Sequence, residues 1–125
     1  MLTVGLKNKK TITVQEKDTA AVHGSGLLPV LATPALIALM EGTAMESVQP
    51  HLGEGEGTVG TRIDVRHMAA TPVGGTVACE SELIEIDRRR LVFSLHAYDG
   101  SGVTVGEGTH ERFIINNEKF MGKLK

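Results

Sequence analysis

The chain holds a single cysteine, Cys79, among its 125 residues. That excludes an intrachain disulfide framework and a cysteine-rich zinc site. Tryptophan is absent and aromatic residues make up only 3%, so the core has to be built from Val, Ile, Leu, Ala and Met. No apolar run approaches the roughly 18 residues needed to span a bilayer, so no membrane partner is expected. The N-terminal stretch carries Lys7, Asn8, Lys9 and Lys10 and lacks the apolar centre of a signal peptide, so the expected compartment is the cytoplasm. A basic excess is missing too: the formal net charge is -2, which argues against a general nucleic-acid binder. What remains is ordinary for a globular protein, with 41% hydrophobic and 22% charged residues. The length predicts one domain over 1–125, burying on the order of two thirds of its unfolded surface.

The strongest local signal is a helix. Thr33 reads as its N-cap and Pro34 as its first residue, where the missing N–H costs nothing. Ala35, Leu36, Ile37, Ala38, Leu39 and Met40 follow without a polar break, Ala44, Met45 and Val48 continue the stripe, and Pro50 and Gly53 end it. A helix apolar nearly all round in its first turns is a buried one. Before it, residues 3–14 have strand character around a basic turn at Lys7 to Lys10, and 15–32 read as a loop. After residue 54 the period changes to two. Val59, Thr61, Ile63, Val65 and His67 share one face of a strand over 58–67, with Arg62, Asp64 and Arg66 on the other. Further strands are predicted over 76–86, 91–98 and 103–115. Turns at 71–75, 87–90 and 99–102 separate them. The tail from Asn116 starts a short helix. Hairpin-length connections predict antiparallel neighbours. One long buried helix wrapped by an antiparallel sheet of about five strands is an α+β domain of hot-dog type. A sheet with an open edge predicts a homodimer.

Three residues carry candidate chemistry. Glu41 follows six apolar residues on the buried helix; it is either a paired carboxylate or the point where the helix meets water. His67 lies on the helix-facing side of its strand, as a base or as a histidine bonded to backbone. Thr33 is explained by capping, and a hydroxyl beside free helix N–H groups also suits an acyl-transfer site. Hydroxyl, imidazole and carboxylate form a set used in acyl transfer. However, the eight helical residues from Thr33 to Glu41 rise about 12 Å and turn about 80°, so one imidazole does not bridge ideal positions. That spacing allows for a residue from a second subunit. His23, His51, His96 and His110 default to surface or structural roles. Arg88, Arg89 and Arg90 read as a charged turn, and Gly53, Gly55 and Gly57 lack the Lys and the context of a phosphate loop.

Three segments together resemble the fluoroacetyl-CoA thioesterase-like family of hot-dog proteins. They are Ala32-Thr33-Pro34 through Leu39-Met40-Glu41, Gly60-Thr61 through His67-Met68-Ala69-Ala70-Thr71-Pro72, and Gly108-Thr109-His110-Glu111-Arg112. The likeness runs from about residue 30 to 121. It implies an acyl-CoA thioesterase with Thr33, Glu41 and His67 as catalytic set. It further implies Gly60 against the acyl group and Arg112 closing part of the acyl pocket. Coenzyme A enters as part of the substrate at a subunit interface, with no metal or other cofactor, in a homodimer that pairs in turn into a tetramer or does not. The family's Phe-rich lid before the helix has no counterpart in residues 21–32, which contain no Phe. A short-chain acyl group other than fluoroacetyl is therefore expected, with Leu27, Leu28 and Leu31 as an apolar lid. A hot-dog hydratase or dehydratase is the runner-up, weakened by the lack of a His-Phe-Pro-Gly stretch. A noncatalytic acyl-CoA-binding module is the third reading.

Overall fold

The computed structural model describes residues 1–124. Five strands, β1 (Lys7–Thr13), β2 (Glu56–His67), β3 (Thr76–Asp87), β4 (Arg90–Asp99) and β5 (Thr104–Asn116), form one sheet in the order β1-β3-β4-β5-β2, antiparallel throughout. Helix α2 (Thr33–Val48) packs on one face. Short helices α1 (Ala20–His23) and α3 (Asn117–Gly122) precede it and end the chain. The hot-dog reading of the sequence is borne out.

Helix α2 buries Ala35, Leu36, Leu39, Met40, Thr43, Ala44, Ser47 and Val48 against the sheet. These positions advance by four, one helical turn, so they form a single stripe. Each large side chain in it stabilises the fold by about 1.5–3 kcal/mol. Val77, Leu83, Leu91, Phe93, Leu95 and Val105 complete the core from below. At Gly106 a Cβ would lie 2.8 Å from the Arg66 carbonyl of β2 and 2.9 Å from Leu36 Cδ2, so glycine lets the β2 backbone and the Leu36 side chain pack this close to β5. Contrary to what its apolar composition predicts, the helix is not enclosed all round: Ala38 is exposed and Ile37 and Met45 are half-buried. One apolar flank of α2 remains uncovered.

Four further expectations need correction. The turn at 71–75 is not a hairpin, because β2 pairs with β5 and β3 pairs with β1 and β4. The connection crosses instead between distant strands, held by Leu31 N–H to the Thr71 carbonyl and by Val14 N–H to the Gly75 carbonyl, both 2.8 Å. Residues 15–32 are not all loop: a 3-10 turn (Glu16–Asp18) leads into α1, whose Val22 N–H donates to the Thr19 hydroxyl. Leu31 is 1% exposed and belongs to the core, so it is no lid, whereas Leu27 and Leu28 stand in solvent. Finally, Val59 and Thr61 do not share a face with Ile63, Val65 and His67. A bulge between Gly60 and Arg62 leaves Thr61 out of the register with β5 and reverses the alternation. Gly60 opposes Arg112 and Ile63 opposes His110, so glycine and histidine strand ends face the same side.

Candidate active site

Helix α2 begins one residue earlier in role than its sequence suggests. The Leu36 N–H donates to the carbonyl of Ala32, which makes Ala32 the cap, and no side chain caps the helix. Thr33 is then the first helical residue, and capping no longer accounts for its hydroxyl. That hydroxyl meets His67 at the end of β2, with Thr33 Oγ1 and His67 Nδ1 2.8 Å apart. The ring is half-buried, and desolvation holds its pKa below the usual 6.5, while the Ala69 backbone beside it works the other way. His67 Nε2 is buried without a hydrogen-bond partner. A neutral imidazole with its lone pair on Nδ1 can accept the Thr33 proton. The first-turn amides of α2 lie at the same end, free of intrahelical acceptors. A shallow depression of ≈ 230 Å³ lined by Val30, Leu31, His67, Met68, Ala69 and Ala70 adjoins the pair.

Two turns along the helix, Glu41 forms a second cluster. Its Oε2 lies 3.9 Å from His110 Nε2 and 4.0 Å from Arg112 Nη1. A Cβ on Gly60 would stand 2.8 Å from the same oxygen, so the glycine leaves room for the carboxylate. Arg112 is buried and clamped: Nε donates to Thr58 Oγ1 at 2.8 Å and Nη2 to the Thr58 carbonyl at 3.0 Å. Burial works against its charge and Glu41 supports it. Glu41 is 39% exposed, so it is neither fully paired nor merely a residue at a helix exit.

Of the five residues the sequence singles out, Thr33 and His67 thus come together in one group, and Glu41, Gly60 and Arg112 in another. Within the chain no hydrogen bond or ion pair among the described residues joins the groups, consistent with the helical rise between them. His110 was missed. It is 1% exposed and sits against Glu41 and Arg112, not at the surface. Its shared parity with Arg112 on β5 was the available signal.

Comparison with known proteins now decides the family. The family model described as fluoroacetyl-CoA-specific thioesterase matches residues 14–118. A fluoroacetyl-CoA thioesterase of Streptantibioticus cattleyicolor is 44% identical over 96 residues, 77% of this chain and 68% of that protein. The chain belongs to the fluoroacetyl-CoA-specific thioesterase family. A solved structure of the fluoroacetyl-CoA thioesterase superposes with a TM-score of 0.92 at 36% identity, covering 99% of this chain and 96% of that one. A Thermus thermophilus thioesterase superfamily member gives 0.89 at 25% identity over 98% and 90% of the two chains. Family and fold make the chain a hot-dog thioesterase and thus a thioester hydrolase, in agreement with the sequence reading.

Proposed function

We propose that this thioesterase hydrolyses a short-chain acyl-CoA, and that each active site is assembled from two copies of the chain. The observation that carries the reading is the 2.8 Å contact between Thr33 Oγ1 and His67 Nδ1, at a helix N-terminus and away from Glu41. Thr33 loses its proton to His67 Nδ1 as its oxygen attacks the thioester carbonyl carbon. The oxyanion forms beside the free amides of α2. Collapse breaks the carbon–sulfur bond, and the departing thiolate takes the proton from His67. Water then attacks the Thr33 ester while a Glu41 carboxylate takes its proton; as the bond from the acyl carbon to Thr33 Oγ1 breaks, that proton passes from Glu41 to Thr33 Oγ1, and the acid leaves.

Three features support a second copy. β2 is an edge strand with an unpaired side. The flank of α2 at Ile37, Ala38 and Met45 is apolar and uncovered. If two β2 strands pair antiparallel about an axis at Asp64, with the extra residue Thr61 taken up by the bulge, His67 lies across from the partner's Gly60, on the same face, and so beside the partner's Glu41. The small depression and the absence of any Phe in residues 21–32 favour a short acyl group other than fluoroacetyl. The compartment expected from the sequence is the cytoplasm.

Thiol release from acetyl-, propionyl-, butyryl- and fluoroacetyl-CoA tests the reading. Turnover of the short unfluorinated thioesters is expected, falling by roughly 10² to 10⁴ in His67→Ala, the range for loss of a general base. Enoyl absorbance changing without thiol would favour a hydratase, and a thermal shift without turnover a binding module.

A further inference from the structure

Buried groups that the reaction above does not use include Cys79, the Ser81 hydroxyl and His110, and of these three His110 is the one that meets site residues, Glu41 and Arg112, through its Nε2. The His110 ring faces Glu41 from α2, Arg112 from its own strand, the Arg62 backbone from β2 and Phe93 from β4. Its protonation state follows from its partners. Nδ1 lies 2.7 Å from the Arg62 carbonyl oxygen, which only accepts, so Nδ1 carries the hydrogen. Nε2 lies 3.1 Å from Arg112 Nη1, which only donates, so Nε2 is a lone pair. The ring is therefore neutral and held in one tautomer, anchored at the carbonyl beside the β2 bulge.

We propose that His110 is a positioning residue: it fixes Arg112 Nη1 toward Glu41 and the Gly60 gap through the Nε2 lone pair. Arg112 has three anchors. Two on Thr58 hold Nε and Nη2, and only His110 holds Nη1, the nitrogen nearest the carboxylate. The guanidinium is planar, so the two Thr58 bonds fix one edge of it; without the His110 acceptor the plane rocks about that edge, and Nη1 keeps its charge but loses its restraint toward Glu41. A second proton on His110 would set N–H against N–H and release the guanidinium. Burial and the Arg112 charge oppose that proton, and the Arg62 carbonyl and Glu41 favour it, with the pKa lowered on balance.

The inference rests on the thioesterase reading, and the test separates the two. kcat and KM for acetyl-CoA are measured for His110→Leu, His110→Gln, Arg112→Met and the His110→Leu/Arg112→Met double variant, alongside the ¹⁵N shift of His110 Nε2. His110→Leu is expected to lower kcat about tenfold or more, as small misplacements in active sites do. His110→Gln offers an amide oxygen to Nη1 and is expected to recover most of that loss. In the Arg112→Met background, His110→Leu is expected to change kcat by less than threefold, because its route is already cut. Arg112→Met also shifts the Nε2 resonance by removing its donor. Losses that multiply, a silent His110→Leu, or an unmoved Nε2 signal overturn the proposal. Should His110→Leu fail to fold, the Gln variant, Arg112→Met and the resonance still decide it. A wild-type chain that releases no thiol from any acyl-CoA overturns the hydrolase reading itself, while the resonance separately reports the His110–Arg112 bond.

Discussion

Gly60→Ala separates stability from activity at a single atom. The added Cβ would stand 2.8 Å from Glu41 Oε2, 3.2 Å from His110 Cε1 and 3.3 Å from Arg112 Nη1. His110 and Arg112 are buried and anchored, so the flexible, 39% exposed Glu41 is the group that moves. Restoring ordinary contact displaces its carboxylate by something on the order of 1 Å, and displacements of that size cost about 10² in rate. That corresponds to about 2.7 kcal/mol in the barrier. Stability should barely change. Gly60 does not have a positive φ, so alanine meets no backbone strain there, and loss of glycine flexibility in the unfolded chain favours folding by about 0.4–1 kcal/mol. Thermal melts and thiol release from acetyl-CoA, read on one preparation, make the comparison. An alanine variant with wild-type kcat/KM would refute the placement of Glu41 in the working site. A variant that unfolds would refute the claim that Glu41 is free to move.

Thr33→Val should lower turnover by at least about 10² through loss of the nucleophile. Because Thr33 is exposed and caps nothing, stability should stay within about 0.5 kcal/mol, read by denaturant titration. The acid limb of kcat/KM should have its midpoint below 6.5, since burial lowers the pKa of His67. A midpoint above 6.5 would contradict that environment. Folding lowers the pKa of both His67 and His110, so the unfolded chain binds more protons in the window below 6.5. Their contribution to stability is full above 6.5 and is lost as pH falls through the folded values; melts across that window check the sign.

The helix, the strand count and the short C-terminal helix were legible because periodicity and punctuation act locally. The strand order was not. A five-residue turn at 71–75 looks like a hairpin, and only long-range pairing of β2 with β5 shows that it crosses the fold. The bulge at Thr61 was equally hidden, since alternation read straight through it places Val59 with His67. That one residue out of register moves Gly60 to the face where Glu41 stands. Thr33 and His67 were legible as candidates, and the helical rise already argued against one imidazole serving Thr33 and Glu41 together. His110 defaulted to a surface or structural role because its parity with Arg112 marks a shared face of β5 but not that this face is buried. Its tautomer depends on a carbonyl 48 residues away in the chain.

Subunit complementation tests the central claim, an active site divided between two chains, most directly. His67→Ala and Glu41→Gln are purified separately, unfolded, mixed in equal amounts and refolded together. Each mixed dimer then holds one site with an intact Thr33, His67 and partner carboxylate, and one site doubly broken. With half the dimers mixed and one site in two restored, the account predicts about a quarter of wild-type thiol release. Activity no greater than the average of the two parent variants, in a mixture that light scattering shows to be dimeric, would contradict it.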